Sequence, residues 1–275
     1  MAEQRWREIT QWLSPPDPFS NHNAAVDKRR RDTGQWLVDS AQYAAWRESE
    51  DSFLWLHGPP GCGKTILAST AIENTRGRCK SSPDHAIAVF YFDFNDLAKQ
   101  QVYEMLCSLI CQLYSQAVYK IPAVESLYER NSQIHKPGVH DLLEVLRESI
   151  SNFNNTFIIL DALDESTNRE ILLPILEKIS RWELKQLHLL ITSRRVPDIE
   201  QSLDPLVTDS ICIQSKLVDA DIQLYIHDRL KQDVKLSRWS REVRAEIETT
   251  LVKGAHGMFV YILCLKKPLS LNSDC

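Results

Sequence analysis

The run Gly58-Pro59-Pro60-Gly61-Cys62-Gly63-Lys64-Thr65 fits the spacing G-x-x-x-x-G-K-[ST] at every fixed position, a spacing that serves to hold a chain of phosphates. Glycines let the backbone wrap so that successive N–H groups point inward, Lys64 supplies a cation, and the Thr65 hydroxyl is a ligand for Mg²⁺. All eight residues are therefore candidate nucleotide contacts. A dinucleotide fingerprint fails, because Ile66 stands where its third glycine belongs. The metal needs a carboxylate from a neighbouring strand end. The apolar run Thr156-Phe157-Ile158-Ile159-Leu160 ends in Asp161, with Asp164 and Glu165 close behind, so Asp161 is the predicted metal ligand beside Thr65. A third run, Leu187 to Thr192, ends in Ser193-Arg194-Arg195. An arginine at that strand end, on the sheet edge that carries the phosphates, can sense the terminal phosphate, and Arg194 is the candidate. Arg195 reads as an exposed loop cation.

These groups need a scaffold that brings strand ends together, and the chain alternates strand and helix in the rhythm of a covered parallel sheet. Ser52 to His57 reads as a buried strand before the glycine loop and Ile66 to Ile72 as a helix after it. Ala86 to Phe92 is a second strand, and Asp209 to Ile213 a fifth. Two helices precede the Asp161 strand, with apolar stripes at Val102, Leu106, Leu109, Ile110 and Leu113 and at Val139, Leu143, Leu146 and Ile150. Glu3 to Leu13 is a short helix, cut off by the proline-rich linker Ser14-Pro15-Pro16-Asp17-Pro18. Val26 to Trp46 reads as mostly helical, with Lys28-Arg29-Arg30-Arg31 as a solvated helix end. From Val218 the pattern is helical only: Asp219 to Ile222 opens one helix and Ser240 caps another. The organisation expected is an N-terminal helix and linker (1–24), a phosphate-loop domain (25–216), a small helical domain (217–264) and a tail (265–275).

Composition narrows the classes. With 43% hydrophobic and 25% charged residues and a net charge of −5, the chain has no general character of a nucleic-acid or membrane-surface binder, so neither partner is expected. The N-terminus has no apolar signal core, and the apolar run from Met258 to Leu265 is too short to span a bilayer. Seven cysteines without metal-ligand spacing fit reduced thiols in the cytoplasm. No G-x-S-x-G or H-E-x-x-H occurs, which leaves hydrolase and metalloprotease readings without a motif.

The glycine loop, the run Asp161-Ala162-Leu163-Asp164-Glu165, the strand end Ile191-Thr192-Ser193-Arg194 and Gly254-Ala255-His256-Gly257-Met258-Phe259 together resemble a NACHT-type P-loop NTPase of the STAND class. The likeness runs from Lys28 to Ile262 and is strongest to the nephrocystin-like modules of fungal NOD-like receptors. The resemblance implies an α/β three-layer sandwich with a five-stranded parallel sheet, order 5-1-4-3-2, plus a small C-terminal helical domain. It puts Thr33 and Gly34 beside the base, with Met258 near the base edge. Ala162 stands where many such ATPases keep the water-activating Glu, so the resemblance passes that catalytic role to Asp164, with Glu165 second. It implies a signalling switch that binds ATP or GTP with Mg²⁺, hydrolyses it slowly, and associates with itself or with signalling proteins. The alternative is a scaffold that holds nucleotide without turnover; a small-molecule kinase is a distant third. Relatives continue into a winged-helix region and repeats, so a truncated switch with fast diphosphate exchange is also expected.

Overall fold

Each of the five expected strands forms, displaced by no more than one residue at either end from its sequence-based bounds. The computed structural model describes residues 2–30, 32–131, 136–213, 215–232, 239–255 and 258. His256, Gly257, Phe259 and the tail, to which part of the sequence reading refers, lie outside the described residues. In chain order the elements are α1 (Ala2–Leu13), α2 (Phe19–Lys28), α3 (Gln35–Val38), α4 (Ala41–Glu48), β1 (Ser52–His57), α5 (Lys64–Cys79), β2 (His85–Tyr91), α6 (Val102–Gln116), α7 (Pro122–Asn131) and α8 (Val139–Ile150). There follow β3 (Asn155–Asp161), α9 (Arg169–Ser180), β4 (Leu187–Ser193), α10 (Pro197–Leu203), β5 (Asp209–Cys212), α11 (Ser215–Gln232) and α12 (Arg241–Ala255).

The sheet runs β2-β3-β4-β1-β5, and every neighbouring pair is parallel. This is the expected 5-1-4-3-2 order, with the Arg194 strand between the glycine-loop strand and the Asp161 strand. Its inner strands are buried along nearly all their length and largely apolar because both faces are covered, with the buried His188 as a polar exception inside β4. Side chains alternate across the sheet. Phe53, Trp55, Ile158, Leu160, Leu189 and Ile191 face the core shared with α1 and α6 to α10. Leu54, Leu56, Phe157, Ile159 and Leu190 face the opposite core with α3, α4, α5 and the C-terminal helices. The result is three layers.

The stretch from Val26 to Trp46 is mostly helical, as expected, but in pieces: the end of α2, then α3 and most of α4. Arg29 is extended and closes α2, Gly34 is left-handed with φ 78° ahead of α3, and Ser40 caps α4 by accepting the Tyr43 N–H at 3.2 Å. A Cβ on Gly34 would stand 3.0 Å from Thr70 Oγ1 and 3.1 Å from Leu67 Cδ2, so this bend sits directly on α5. The first C-terminal helix also begins earlier than Asp219, at Ser215.

One edge of the sheet is β2, whose outward N–H and C=O groups need partners that no strand provides. Two glutamines of α6 supply them. Gln112 accepts from Val89 N–H at 3.0 Å and donates to Val89 C=O at 2.8 Å; Gln116 does the same at Ile87, at 3.1 and 2.8 Å. Each amide imitates a residue of a sixth strand. Gln112→Ala, which leaves both Val89 groups without these partners, is expected to lower stability by about 1–3 kcal/mol, read as a shifted urea midpoint.

Candidate functional site

Parallel register places the C-terminal ends of β1, β3 and β4 along one edge, with His57 opposite Ser193 and Leu160 opposite Ile191. From that edge β1 enters the glycine loop. Gly61 and Gly63 adopt φ 74° and 95°, values that favour glycine, and Gly63 is the N-cap from which α5 starts at Lys64. Gly58 is required for a different reason. A Cβ there would lie 2.8 Å from Cys62 Sγ and 3.0 Å from Ile213 Cβ, so the loop closes against the chain leaving β5.

Above the loop opens a cleft of about 1020 Å³. Pro60, Gly61, Gly63, Lys64 and Thr65 line it, as do Asp164, Glu165, Arg194 and Thr33. Gly58 and Cys62 of the loop are buried and Pro59 is exposed, all three outside the lining, as is Asp161, 2% exposed. Lys64 Nζ donates to the carbonyls of Gly58 and Pro59 at 2.9 and 3.0 Å. Gly34 and Met258 are not among the lining residues: Gly34 is buried just behind Thr33, and Met258 hydrogen-bonds back to Ala255.

Asp161 is positioned by its neighbour strand. The Thr192 hydroxyl donates to Asp161 Oδ1 at 2.6 Å and accepts from the Ala162 N–H at 3.0 Å. Burial raises the Asp161 pKa above the ordinary carboxylate value, opposed by hydrogen bonds from Thr192 and Thr65 and by the charge of Lys64. Of the sequence-predicted metal pair, Thr65 lines the cleft from the first turn of α5 and Asp161 ends β3 against Thr192. A hydroxyl and a carboxylate are the hard oxygen donors that Mg²⁺ takes beside phosphates, so the residues present fit that ion.

After Asp161 the chain turns sharply. Ala162 is left-handed, φ 57°, and leads into a 3₁₀ turn over Leu163–Glu165. The turn separates the two acids. Asp164, its side chain 6% exposed, receives the Arg194 backbone N–H at 2.8 Å on one oxygen and Arg194 Nε on the other. Glu165 instead accepts the Phe94 N–H at 3.1 Å. Burial raises the Glu165 pKa, that hydrogen bond opposes it, and the Asp164 charge adds to the rise. Arg195 turns away to Glu200 and Asp204.

Several cleft residues have no motif to announce them. Lys28, the exposed last residue of α2, and Arg29 and Arg30 after it line the cleft; the helix end is where the sequence puts it, but a run of like charges does not say which surface it faces. Phe94, Arg169 and Tyr225 also line it. Tyr225 lies on α11, with the Arg30 guanidinium 5.7 Å from its ring. One turn earlier, Asp221 Oδ2 accepts both the Gly34 N–H at 2.9 Å and Trp36 Nε1 at 3.1 Å. This clasp ties α11 to the segment along the cleft wall, and only its helical spacing from Tyr225 is visible in the sequence.

The family model described as nephrocystin 3, N-terminal, matches residues 32–194. The vegetative incompatibility protein HET-E-1 of Podospora anserina is 25% identical over 251 residues, covering 87% of this chain; the chain spans 18% of that relative's length. The solved structure of C. elegans PCH-2 matches with a TM-score of 0.53 and 14% identity over 93% of this chain and 67% of its own, which is a likeness of fold.

The clasp carries its own test. Burial raises the Asp221 pKa, opposed by the hydrogen bonds from Gly34 and Trp36. The folded state therefore holds this proton more tightly than the unfolded chain, and this group's contribution to stability falls as pH rises from the ordinary carboxylate value through the raised one. Since one oxygen accepts both bonds, Asp221→Asn keeps them and removes the buried charge. Thermal melts across mildly acidic to neutral pH should show Asp221→Asn at least as stable as the parent and flatter in pH, with Asp221→Ala about 1–3 kcal/mol less stable.

Proposed function

Because the chain belongs to the nephrocystin 3 N-terminal family, we propose that it is a nucleotide-operated switch: it binds ATP or GTP with Mg²⁺ at the loop Gly58 to Thr65 and hydrolyses it slowly. Its bound state would govern association with itself or with signalling proteins in the cytoplasm. The observation that carries this reading is the meeting of three strand ends at one cleft, with Lys64 and Thr65 from the first, Asp161 from the second and Arg194 from the third.

In this proposal Lys64 exchanges its two carbonyl partners for β- and γ-phosphate oxygens, and inward N–H groups of the loop take the rest of the charge. Thr65 and Asp161 would hold Mg²⁺, which when bound neutralises charge on the β- and γ-phosphates. Arg194, braced on Asp164, reads the terminal phosphate. Because both Asp164 oxygens face Arg194, we assign the positioning of water to Glu165, which the sequence reading ranked second. Its raised pKa suits a proton acceptor. Thr33 and the Arg30–Tyr225 pair border the base. The second reading, a scaffold without turnover, is favoured by Ala162, which places a methyl group directly after Asp161. Among the described residues no helix is long and apolar enough to cross a membrane, and Cys62, Cys79, Cys107, Cys111 and Cys212 are unpaired.

Calorimetry on Lys64→Ala should show nucleotide affinity reduced about a hundredfold, the loss of a charge-assisted contact of roughly 3 kcal/mol. Wild-type affinity in the folded variant would remove the loop assignment. Glu165→Gln should slow single-turnover phosphate release at least about a hundredfold with little change in binding. Asp164→Asn should instead narrow the difference between tri- and diphosphate affinity, since it loosens Arg194. Absence of any phosphate release from the parent chain would favour the scaffold.

A further inference from the structure

A second cavity of about 520 Å³ lies at the far end of α5. The helix that starts at Lys64 is 16 residues long, about 24 Å at 1.5 Å per residue, and its last turn forms one wall. Trp6 of α1, Phe19 of α2, Cys79 of α5 and Ile87 of β2 give the cavity apolar walls, and α6 closes the remaining side. None of its lining residues belongs to the nucleotide cleft.

Its charge is one-sided. The chain carries a net −5, yet the lining holds Arg76 and Lys80 and no carboxylate. Arg76 makes one 3.4 Å contact with Glu73 and stacks 4.7 Å from the Phe19 ring centroid, which leaves guanidinium N–H groups for a further acceptor. Lys80 is exposed beside it. Polar atoms behind the wall are also short of partners: Trp6 Nε1 and His85 Nδ1 are buried without a hydrogen bond. A volume of this size, with apolar side chains and uncharged polar ones along it and two cations at the end of α5, matches a small amphipathic ligand rather than water.

We propose that this cavity is a binding site for a small amphipathic anion, its apolar body between Trp6, Phe19 and Ile87 and its carboxylate or related head on Arg76 and Lys80. The anion and the nucleotide occupy opposite ends of α5. Binding therefore does not compete with nucleotide, and the site stands whether or not the cleft hydrolyses anything.

The probe is 1-anilinonaphthalene-8-sulfonate, with decanoate as competitor and decyltrimethylammonium as the cation of matched chain. The full chain should bind the probe saturably, release it to decanoate and keep it in the presence of decyltrimethylammonium or saturating nucleotide. Ser115 lines the cavity from an exposed position on α6, so Ser115→Trp should fill the space and abolish binding while the melting temperature holds. The double variant Arg76→Gln with Lys80→Gln should weaken decanoate at least about tenfold. Binding that does not saturate, that survives Ser115→Trp and the charge removal alike, that yields equally to the cation, or that nucleotide displaces would overturn the proposal.

Discussion

β4 is hydrogen-bonded on both sides, to β3 and to β1, and the register of those two ladders determines which side chains meet. A shift by one residue would reverse the face of every side chain on the strand. It would turn Ile191 out of the core it shares with α6 to α10, and it would take the Thr192 hydroxyl off Asp161. Burial of the alternate rows thus holds the register, and the register holds the site. Thr192 and Asp161 meet because the strands supply their coordinates.

The peptide after Asp161 shows what this arrangement costs locally. A left-handed Ala is disfavoured by about 1–2 kcal/mol, yet Ala162 is placed there by the Thr192 hydroxyl on its N–H and by the 3₁₀ turn that follows. The turn stops the acids from lying along one strand. Asp164 swings to Arg194 and Glu165 to the loop after β2, where Ser166 and Asn168 also bond Gln100 and Gln101. Two carboxylates adjacent in sequence therefore acquire different environments, one neutralised by a guanidinium and one held by a backbone N–H in a half-buried position.

What the sequence made legible was whatever repeats locally or has fixed chemical spacing. Continuous apolar strands, the glycine loop and the acid at a strand end each satisfy constraints that operate within a few residues, and the strand bounds agree accordingly. The Asp164–Arg194 pair, the Asp221 clasp on Gly34 and the edge amides Gln112 and Gln116 could not be read in this way. They join residues separated by 30, 187 and 23 or more positions, and nothing near either partner marks the match. The basic run from Lys28 does mark a helix end, but its place on the cleft was illegible for a related reason: the breaks at Arg29 and Gly34 that bring the segment there have no local signature.

α5 connects these observations into one mechanical element. Its first turn carries Lys64 and Thr65, its middle receives Gly34 against Leu67 and Thr70, and its end forms the second cavity. Close packing makes such a helix move as a unit rather than bend. Arg29 bonds Thr70 at 3.3 Å from the cleft wall, while Asp221 holds the same wall to α11. Arg29 and Gly34 thus rest on the same helix that carries Lys64, and Asp221 joins that segment to α11. Position 34 suits glycine twice over, through its φ of 78° and through the 3.0 and 3.1 Å at which a Cβ would meet Thr70 and Leu67.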